Sequence, residues 1–208
     1  MIRFLYGDAL NRHPVLRDTM FRDRAAQFST RLGWAVNIDR QGLERDEYDA
    51  LNPLYVIWEG RDGRHGGSLR FLPTTGRVMI NDHFRHLTGG VAIKSPRIWE
   101  CTRFCISPAC SSRQTAARLL LGAAALGKHF RLSHALGVFD PAMMRVYRAL
   151  GWQPVLHADG RDGIHVGLWS FDDIDIGRLR RRAGSAGNDL LKWSDLDLKP
   201  PHPAPLSA

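Results

Sequence analysis

Ile98-Trp99-Glu100-Cys101-Thr102-Arg103-Phe104 is a short apolar and aromatic run that carries a carboxylate and a guanidinium three positions apart. Large apolar side chains in so short a run read as a β-strand. Buried strands exclude charge, because an unpaired ion away from water is strongly unfavourable. Glu100 and Arg103 are therefore either partners of each other or members of a reaction site. In a regular strand, residues three apart face opposite sides of the sheet, so a shared site needs an extra residue between them. We expect a β-bulge at Cys101-Thr102, since such irregularities gather beside active sites.

Upstream of this strand, Met1–Tyr6 reads as a first strand and Pro14–Arg31 as a helix, with Val15, Leu16, Met20, Phe21, Ala25 and Phe28 at three- and four-residue steps. A polar stretch follows to Asn52. Leu54–Glu59 and Gly67–Leu72 flank a turn at Arg61–Arg64 and form a hairpin. Val78–Phe84 is a short apolar piece of undefined type. Downstream, Gln114–Phe130 is a helix whose middle, Leu119–Leu126, is apolar all round and so buried. Then come a strand at His134–Phe139, a helix at Pro141–Leu150, a strand at Gly163–Phe171 and a helix from Asp172 to about Arg182. This order predicts a single α/β domain over residues 1–183, a mixed twisted sheet flanked by helices. Residues 184–208, rich in Gly, Ser and Pro, read as a disordered tail.

The 208 residues are 44% hydrophobic and 24% charged, an ordinary soluble composition. The start carries no signal-peptide pattern, and the longest apolar run is far short of the roughly 20 residues that span a bilayer. A cytoplasmic protein with no membrane segment is expected. Cys101, Cys105 and Cys110 match neither a zinc half-site nor a disulfide framework, and the nine histidines lack metal spacing, so no metal is expected. The net charge of +8 calls for an acidic partner, nucleic acid or protein.

Three further groups stand out as able to carry chemistry. Arg24 and Phe28 share a helix face and precede Trp34. Asp46 and Asp49 lie in an acidic stretch that would ordinarily be a solvated loop. Arg70 sits on the hairpin strand, where a charge is normal on an exposed face. Together with the opening strand they resemble the acyl-homoserine lactone synthases, the autoinducer synthases of bacterial quorum sensing. The resemblance rests on Arg24-x-x-x-Phe28, Arg31-Leu-Gly-Trp34, Glu44-x-Asp46-x-x-Asp49 and Pro53-x-Tyr55-Val-Ile57. It continues through Gly67-x-x-Arg70-x-Leu-Pro-Thr-Thr-Gly76, Phe84 and Ser95-Pro-x-x-Trp99-Glu-x-x-Arg103-Phe.

The resemblance implies a GNAT-like acyltransferase fold and a reaction between S-adenosylmethionine, as substrate and not cofactor, and an acyl thioester. The amine attacks the thioester, the methionyl carboxylate closes on its own γ-carbon, and methylthioadenosine leaves. It gives Glu100 the role of base. Arg103 would hold the pantetheine side or steady Glu100, and amides freed by the bulge would receive the oxyanion. Arg24, Phe28, Trp34 and Phe84 would bind S-adenosylmethionine with Asp46 and Asp49, Arg24 pairing with its carboxylate or with those acids, while Arg70 ties the acidic loop to the sheet. Met79, Leu136, Gly137, Met143, Met144 and Leu150 would line the acyl pocket. Gly137, at a position where makers of 3-oxo products often carry threonine, disfavours a 3-oxo chain. The segment Ser111-Ser-Arg-Gln-Thr-Ala-Ala117 lacks the glycines with which GNAT enzymes cradle the CoA pyrophosphate. That favours acyl carrier protein over acyl-CoA as donor. The competing readings are a GNAT-type N-acyltransferase on another amine and a basic nucleic-acid-binding protein. The first keeps Glu100 but has no need of the acidic loop.

Overall fold

The computed structural model describes residues 1–110, 113–160, 163–184 and 191–192. Its elements are β1 (Ile2–Tyr6), α1 (Pro14–Arg24), β2 (Leu54–Glu59), β3 (His65–Pro73), α2 (Met79–His83), β4 (Ile98–Ile106) and α3 (Arg113–His129), then β5 (His134–Phe139), α4 (Met143–Leu150), β6 (Leu156–Asp159), β7 (His165–Ser170), α5 (Ile176–Ala183) and β8 (Leu191–Lys192). The strands form one mixed sheet in the order β6-β7-β5-β4-β3-β2-β1-β8. β1, β2, β3 and β4 pair with one another antiparallel in succession, and β4 pairs with β5 in parallel through the α3 crossover.

The alternation of side chains along the strands divides the core by face. Ile2, Phe4, Val56, Leu69, Phe71 and Trp99 pack with α3, Leu150, Trp169 and Leu179. On the other face Leu5, Tyr55 and Ile57 meet Leu16, Met20 and Phe21 of α1, while Leu72 and Leu136 meet Tyr48, Val78 and Ile80. β3 is buried along almost its whole length because helices cover both its faces.

Several boundaries differ from the sequence reading. The expected helix over Pro14–Arg31 is α-helical to Arg24 and then widens into a π-helix, Ala25–Arg31. Leu32 N–H bonds the Gln27 carbonyl and Trp34 N–H bonds that of Phe28. Such segments are rare and concentrate at functional sites. Val78–Phe84 supplies α2. Asp175, not Asp172, opens α5: its carboxylate accepts from Arg178 N–H. β6 was not expected; its four residues are too short for a periodic signal. Within the segment read as a disordered tail, Leu191–Lys192 pair in parallel with Ile2 and Arg3. The remainder of that segment lies outside the described residues, apart from Gly184, which closes α5.

The bulge exists, but two residues later than expected. Ser68 pairs with Cys105 and Arg70 with Thr102, so Arg103 and Phe104 together oppose Leu69. Arg103 takes the left-handed conformation, φ 53°, which a non-glycine residue adopts at a cost. Beyond Glu100↔Leu136 the β4–β5 ladder stops although both strands continue, and the two strands part.

α3 reaches the sheet at Gly122, where an added Cβ would sit 2.5 Å from Val56 Cγ1 and 3.0 Å from Ile2 Cγ2. Alanine normally gains about 1 kcal/mol over glycine in a helix, but overpacking a closed core costs about 1–3 kcal/mol. Gly122→Val is expected to lower the unfolding free energy by about 1–3 kcal/mol in urea titration, with an unchanged m-value.

Candidate active site

Arg24, Asp46, Asp49, Arg70 and Arg103, singled out in the sequence, converge with Glu44 into a closed ring. Arg24 donates to Glu44 and to both oxygens of Asp49. Glu44 accepts from Arg103, and Arg103 reaches Asp46 at 2.8 Å. Asp46 receives Arg70 through both terminal nitrogens, and Arg70 returns to Asp49 at 2.8 Å. Three guanidiniums and three carboxylates thus alternate, and each ion touches two of opposite sign. Tyr55 Oη donates to Asp49 and Arg70 Nε to Thr102 Oγ1, which satisfies further edges.

The ring joins four parts of the chain: the end of α1, the acidic loop, β3 and β4. It answers the question of the opening strand. The bulge swings Arg103 onto the face of Arg70 and Thr102, where a regular strand would turn it away. Glu100 lies on that face too, yet it does not pair with Arg103. Its carboxylate accepts from Met79 N–H at 2.9 Å and Ile80 N–H at 2.6 Å, the first amides of α2. Burial pushes the Glu100 carboxyl up, against the pull of those two amides. Asp49 goes the other way: burial raises it, but Arg24 and Arg70 more than offset that and hold it below the ordinary carboxylate range.

A cavity of about 1300 Å³ passes through the sheet where β4 and β5 part. On the ring side its wall includes Phe28, Trp34, Asp46, Tyr48, Met79, Phe84, Thr102 and Arg103. Phe28 and Trp34 stack with centroids 5.3 Å apart, and the Arg103 guanidinium lies 5.2 Å over the Phe28 ring. On the α3 side the wall includes Phe71, Leu120, Ala123, Tyr147, Trp152 and Trp169. Gly137 stands at the passage: an added Cβ would meet the Cys101 carbonyl oxygen at 3.0 Å.

The expected site residues divide accordingly. Phe28, Trp34, Phe84, Asp46, Arg103, Met79, Gly137 and Met143 border the cavity. Arg24 does not: it is completely buried and committed to Glu44 and Asp49, so it cannot meet a substrate carboxylate. Arg70 and Asp49 likewise face the ring, and Arg70 is buried where an exposed charge was the ordinary reading. Leu136 and Leu150 are core residues, and Met144 packs against the main core. The cavity wall on the α3 side is instead largely aromatic. Glu44, quoted in the motif but not placed among site residues, closes the ring; its two-residue spacing from Asp46 was the available signal. Tyr147, Trp152 and Trp169 were missed because aromatic residues at strand and helix spacing read as ordinary core.

Cys101, Cys105 and Cys110 are free thiols. Burial pushes the Cys105 thiol up to about 12. Among the described residues, no group of three or more His, Cys, Asp or Glu is arranged to hold a metal ion. Among the described residues, no helix is long and apolar enough to cross a membrane.

Parted parallel strands beside a bulge, with a cavity running through the gap, define a GNAT-like acyltransferase fold. The CoA-dependent acyl-homoserine lactone synthase MesI shares it with TM-score 0.77 at 24% identity, over 92% of this chain and 98% of that one. BjaI, a CoA-dependent acyl-homoserine lactone synthase solved with SAM and isopentyl-CoA, superposes with TM-score 0.78 at 19% identity, over 92% of both chains. In sequence, the acyl-homoserine-lactone synthase of Rhizobium etli is 43% identical over 189 residues, 86% of this chain and 89% of that protein. The autoinducer synthase family model matches residues 8–162. The chain belongs to the autoinducer synthase family and is an acyltransferase, an acyl-homoserine-lactone synthase.

Removing one charge from a buried ring leaves others uncompensated, at about 3–5 kcal/mol. Asp49→Asn is expected to destabilise the protein by that amount at pH 7 in denaturant titration. Because the folded pKa of Asp49 is depressed, its contribution is present above the unfolded value of about 3.9 and is lost as pH falls below it. The stability gap between wild type and Asp49→Asn should therefore narrow below about pH 4.

Proposed function

We propose that the enzyme acylates the α-amine of S-adenosylmethionine from a thioester and then lactonises the product, releasing methylthioadenosine. The observation that carries this reading is the two-sided cavity. It offers an aromatic and charged wall on one face of the sheet, a largely aromatic wall on the other, and Gly137 between them. Phe28, Trp34 and Phe84 supply faces for the adenine and the cationic sulfonium. Asp46 sets a negative edge beside them, and Arg103 is the one ring arginine that borders the cavity. The acyl chain extends along the α3 side, past Gly137.

An α-amine with a pKa of about 8 is mostly protonated at neutral pH and needs a base. Glu100 takes this proton through water, since it does not border the cavity itself. Its raised pKa supports the role, because a carboxylate of ordinary pKa is a weak base. Its two amide partners add a positioning role through α2, which carries Met79 and His83 and leads into Phe84. Amides freed by the bulge at Arg103-Phe104 serve as oxyanion donors. Arg24, Arg70, Glu44 and Asp49 act at one remove, by fixing Asp46 and Arg103.

For the donor we favour acyl carrier protein. The segment before α3 has no glycine-rich cradle for the CoA pyrophosphate, and the chain carries an excess of 8 positive charges for an acidic carrier. Gly137 argues against a 3-oxo chain. The setting in which the signal is made is the cytoplasm, where both substrates are synthesised.

Incubation with S-adenosylmethionine and matched acyl-carrier-protein and acyl-CoA thioesters, read by mass spectrometry, should yield lactone and methylthioadenosine in equal amounts. The carrier-protein donor should give the higher kcat/KM; absence of lactone from every donor sinks the reading. Glu100→Gln is expected to lose about 10²-fold or more in kcat with little change in KM for S-adenosylmethionine. A raised KM with intact kcat would assign Glu100 to holding α2 alone.

A further inference from the structure

Joining an ammonium to a thioester releases a proton that has to leave the site. The nitrogen enters with three hydrogens and keeps one in the amide. The departing thiolate takes another, and the third goes to solvent. Ring closure adds none: the carboxylate oxygen bonds the γ-carbon, the carbon–sulfur bond breaks, and its electron pair stays on the neutral thioether. One proton per turnover therefore travels from the amine to bulk water. Glu100 can receive it, but Glu100 is buried, stands back from the cavity, and has its two oxygens on the Met79 and Ile80 amides. A second acceptor, nearer the solvent, clears the proton for the next turnover.

The cavity wall narrows the candidates. The Tyr48 and Tyr147 phenols and the Cys101 thiol border it, and burial pushes all three up, so they keep their protons. Asp46 is taken by Arg70 and Arg103, and Asp140 accepts from the Ala142 N–H. Arginine does not give up its proton. Among the described residues that border the cavity, the titratable groups left are Glu47 and His83. They are a pair: His83 Nε2 lies 3.2 Å from Glu47 Oε1, and the side chains are 54% and 48% exposed.

A carboxylate only accepts, so Nε2 carries a hydrogen and Nδ1 holds the lone pair. Imidazole takes and gives protons near neutral pH, and a carboxylate behind it favours its charged form. The Tyr48 ring faces His83 edge-on with centroids 6.2 Å apart, and the Tyr48 hydroxyl donates to Asp82, whose charge Arg77 balances. His83 is the last residue of α2, a helix five residues long whose first amides hold Glu100. One end of that helix thus carries a base in the interior and the other an imidazole in solvent.

We propose that His83, held by Glu47, is the solvent-side acceptor that passes the amine's proton from the cavity to bulk water. This rests on the synthase reading above and deepens it. His83 bonds to neither substrate. Nδ1 takes the proton by way of water, and the imidazolium, paired with Glu47, returns it to bulk.

The test is chemical rescue, with kcat read as lactone formed at pH 7 and constant ionic strength, both substrates saturating, in dilute buffer and with rising imidazole. Wild type should not respond to imidazole. His83→Ala should lose at least about tenfold in kcat in dilute buffer, short of the roughly 10²–10⁴ of a group acting on the reacting atoms, with KM for S-adenosylmethionine little changed. Imidazole should restore most of that loss, saturably. His83→Gln can keep a hydrogen bond to Glu47 but cannot take a proton; it should be as slow as His83→Ala, and it stands in if that variant folds poorly. A His83→Ala kcat within twofold of wild type in dilute buffer overturns the proposal. So does a loss that His83→Gln repairs, or that imidazole leaves in place, since either makes the pair a clasp between the acidic loop and α2. Failure of the synthase reading is separate and visible in the same experiment, as no lactone from any donor in wild type.

Discussion

Alternation of charge around the closed ring of Arg24, Glu44, Arg103, Asp46, Arg70 and Asp49 is the constraint on which the site depends. Buried ions lose hydration that their mutual attraction regains only when every partner is in place. A ring has no end, so none of the six is left with a single neighbour. Its parts come from a helix end, a loop, a hairpin strand and the bulged strand, and the condition that all meet fixes how these lie. The acidic loop, which has little secondary structure of its own, is held mainly by three carboxylates and by Leu43 and Tyr48 in the core. The ring then turns one edge, Asp46 and Arg103, to the cavity, their side chains 12% and 11% exposed. What faces the cavity is the accessible rim of a buried structure.

The second constraint is the parting of β4 and β5. A bulge in β4 shifts the strand relative to β3, and past Glu100 the ladder to β5 ends. A continuous sheet would wall off one face from the other. Here the interruption lets a polar chamber and an apolar one meet at a single point, as a reaction between a charged amine and a fatty chain requires. Glu100 stands at the last paired position, so one residue marks the end of the ladder and anchors α2 beside the opening.

Much of this was legible in the chain itself. Alternating apolar residues located β2, β3, β4 and β5, and the all-round apolar character of Leu119–Leu126 marked α3 as buried. A carboxylate and a guanidinium three apart demanded an irregular strand, and the strand is irregular. Its position was not legible, because the residue that bulges is an arginine, and nothing in its side chain announces a left-handed backbone as a glycine would. The π-helix was hidden for a related reason: four-residue spacing fits both helix types over so short a run. Arg24 was read as pairing either with the substrate carboxylate or with the nearby acids, because sequence gives residue type but not commitment; the structure shows the second, its donors taken by Glu44 and Asp49. Leu136 and Leu150 have the composition of a pocket and the burial of a core.

Arg103 illustrates how narrow the choice at a single position becomes. Its backbone favours glycine or asparagine, whereas its side chain must reach two carboxylates and a ring face. Glycine would relax the turn but leave Glu44 with Arg24 alone and Asp46 with Arg70 alone among the ring arginines. Lysine would keep the charge but has a point ammonium in place of a planar fork that can lie over Phe28 while pairing at its edge. Backbone and side chain thus ask for different amino acids, and arginine is the compromise that satisfies the more expensive demand. A replacement that suits the backbone gives up the two carboxylate contacts, and one that keeps a charge gives up the planar fork.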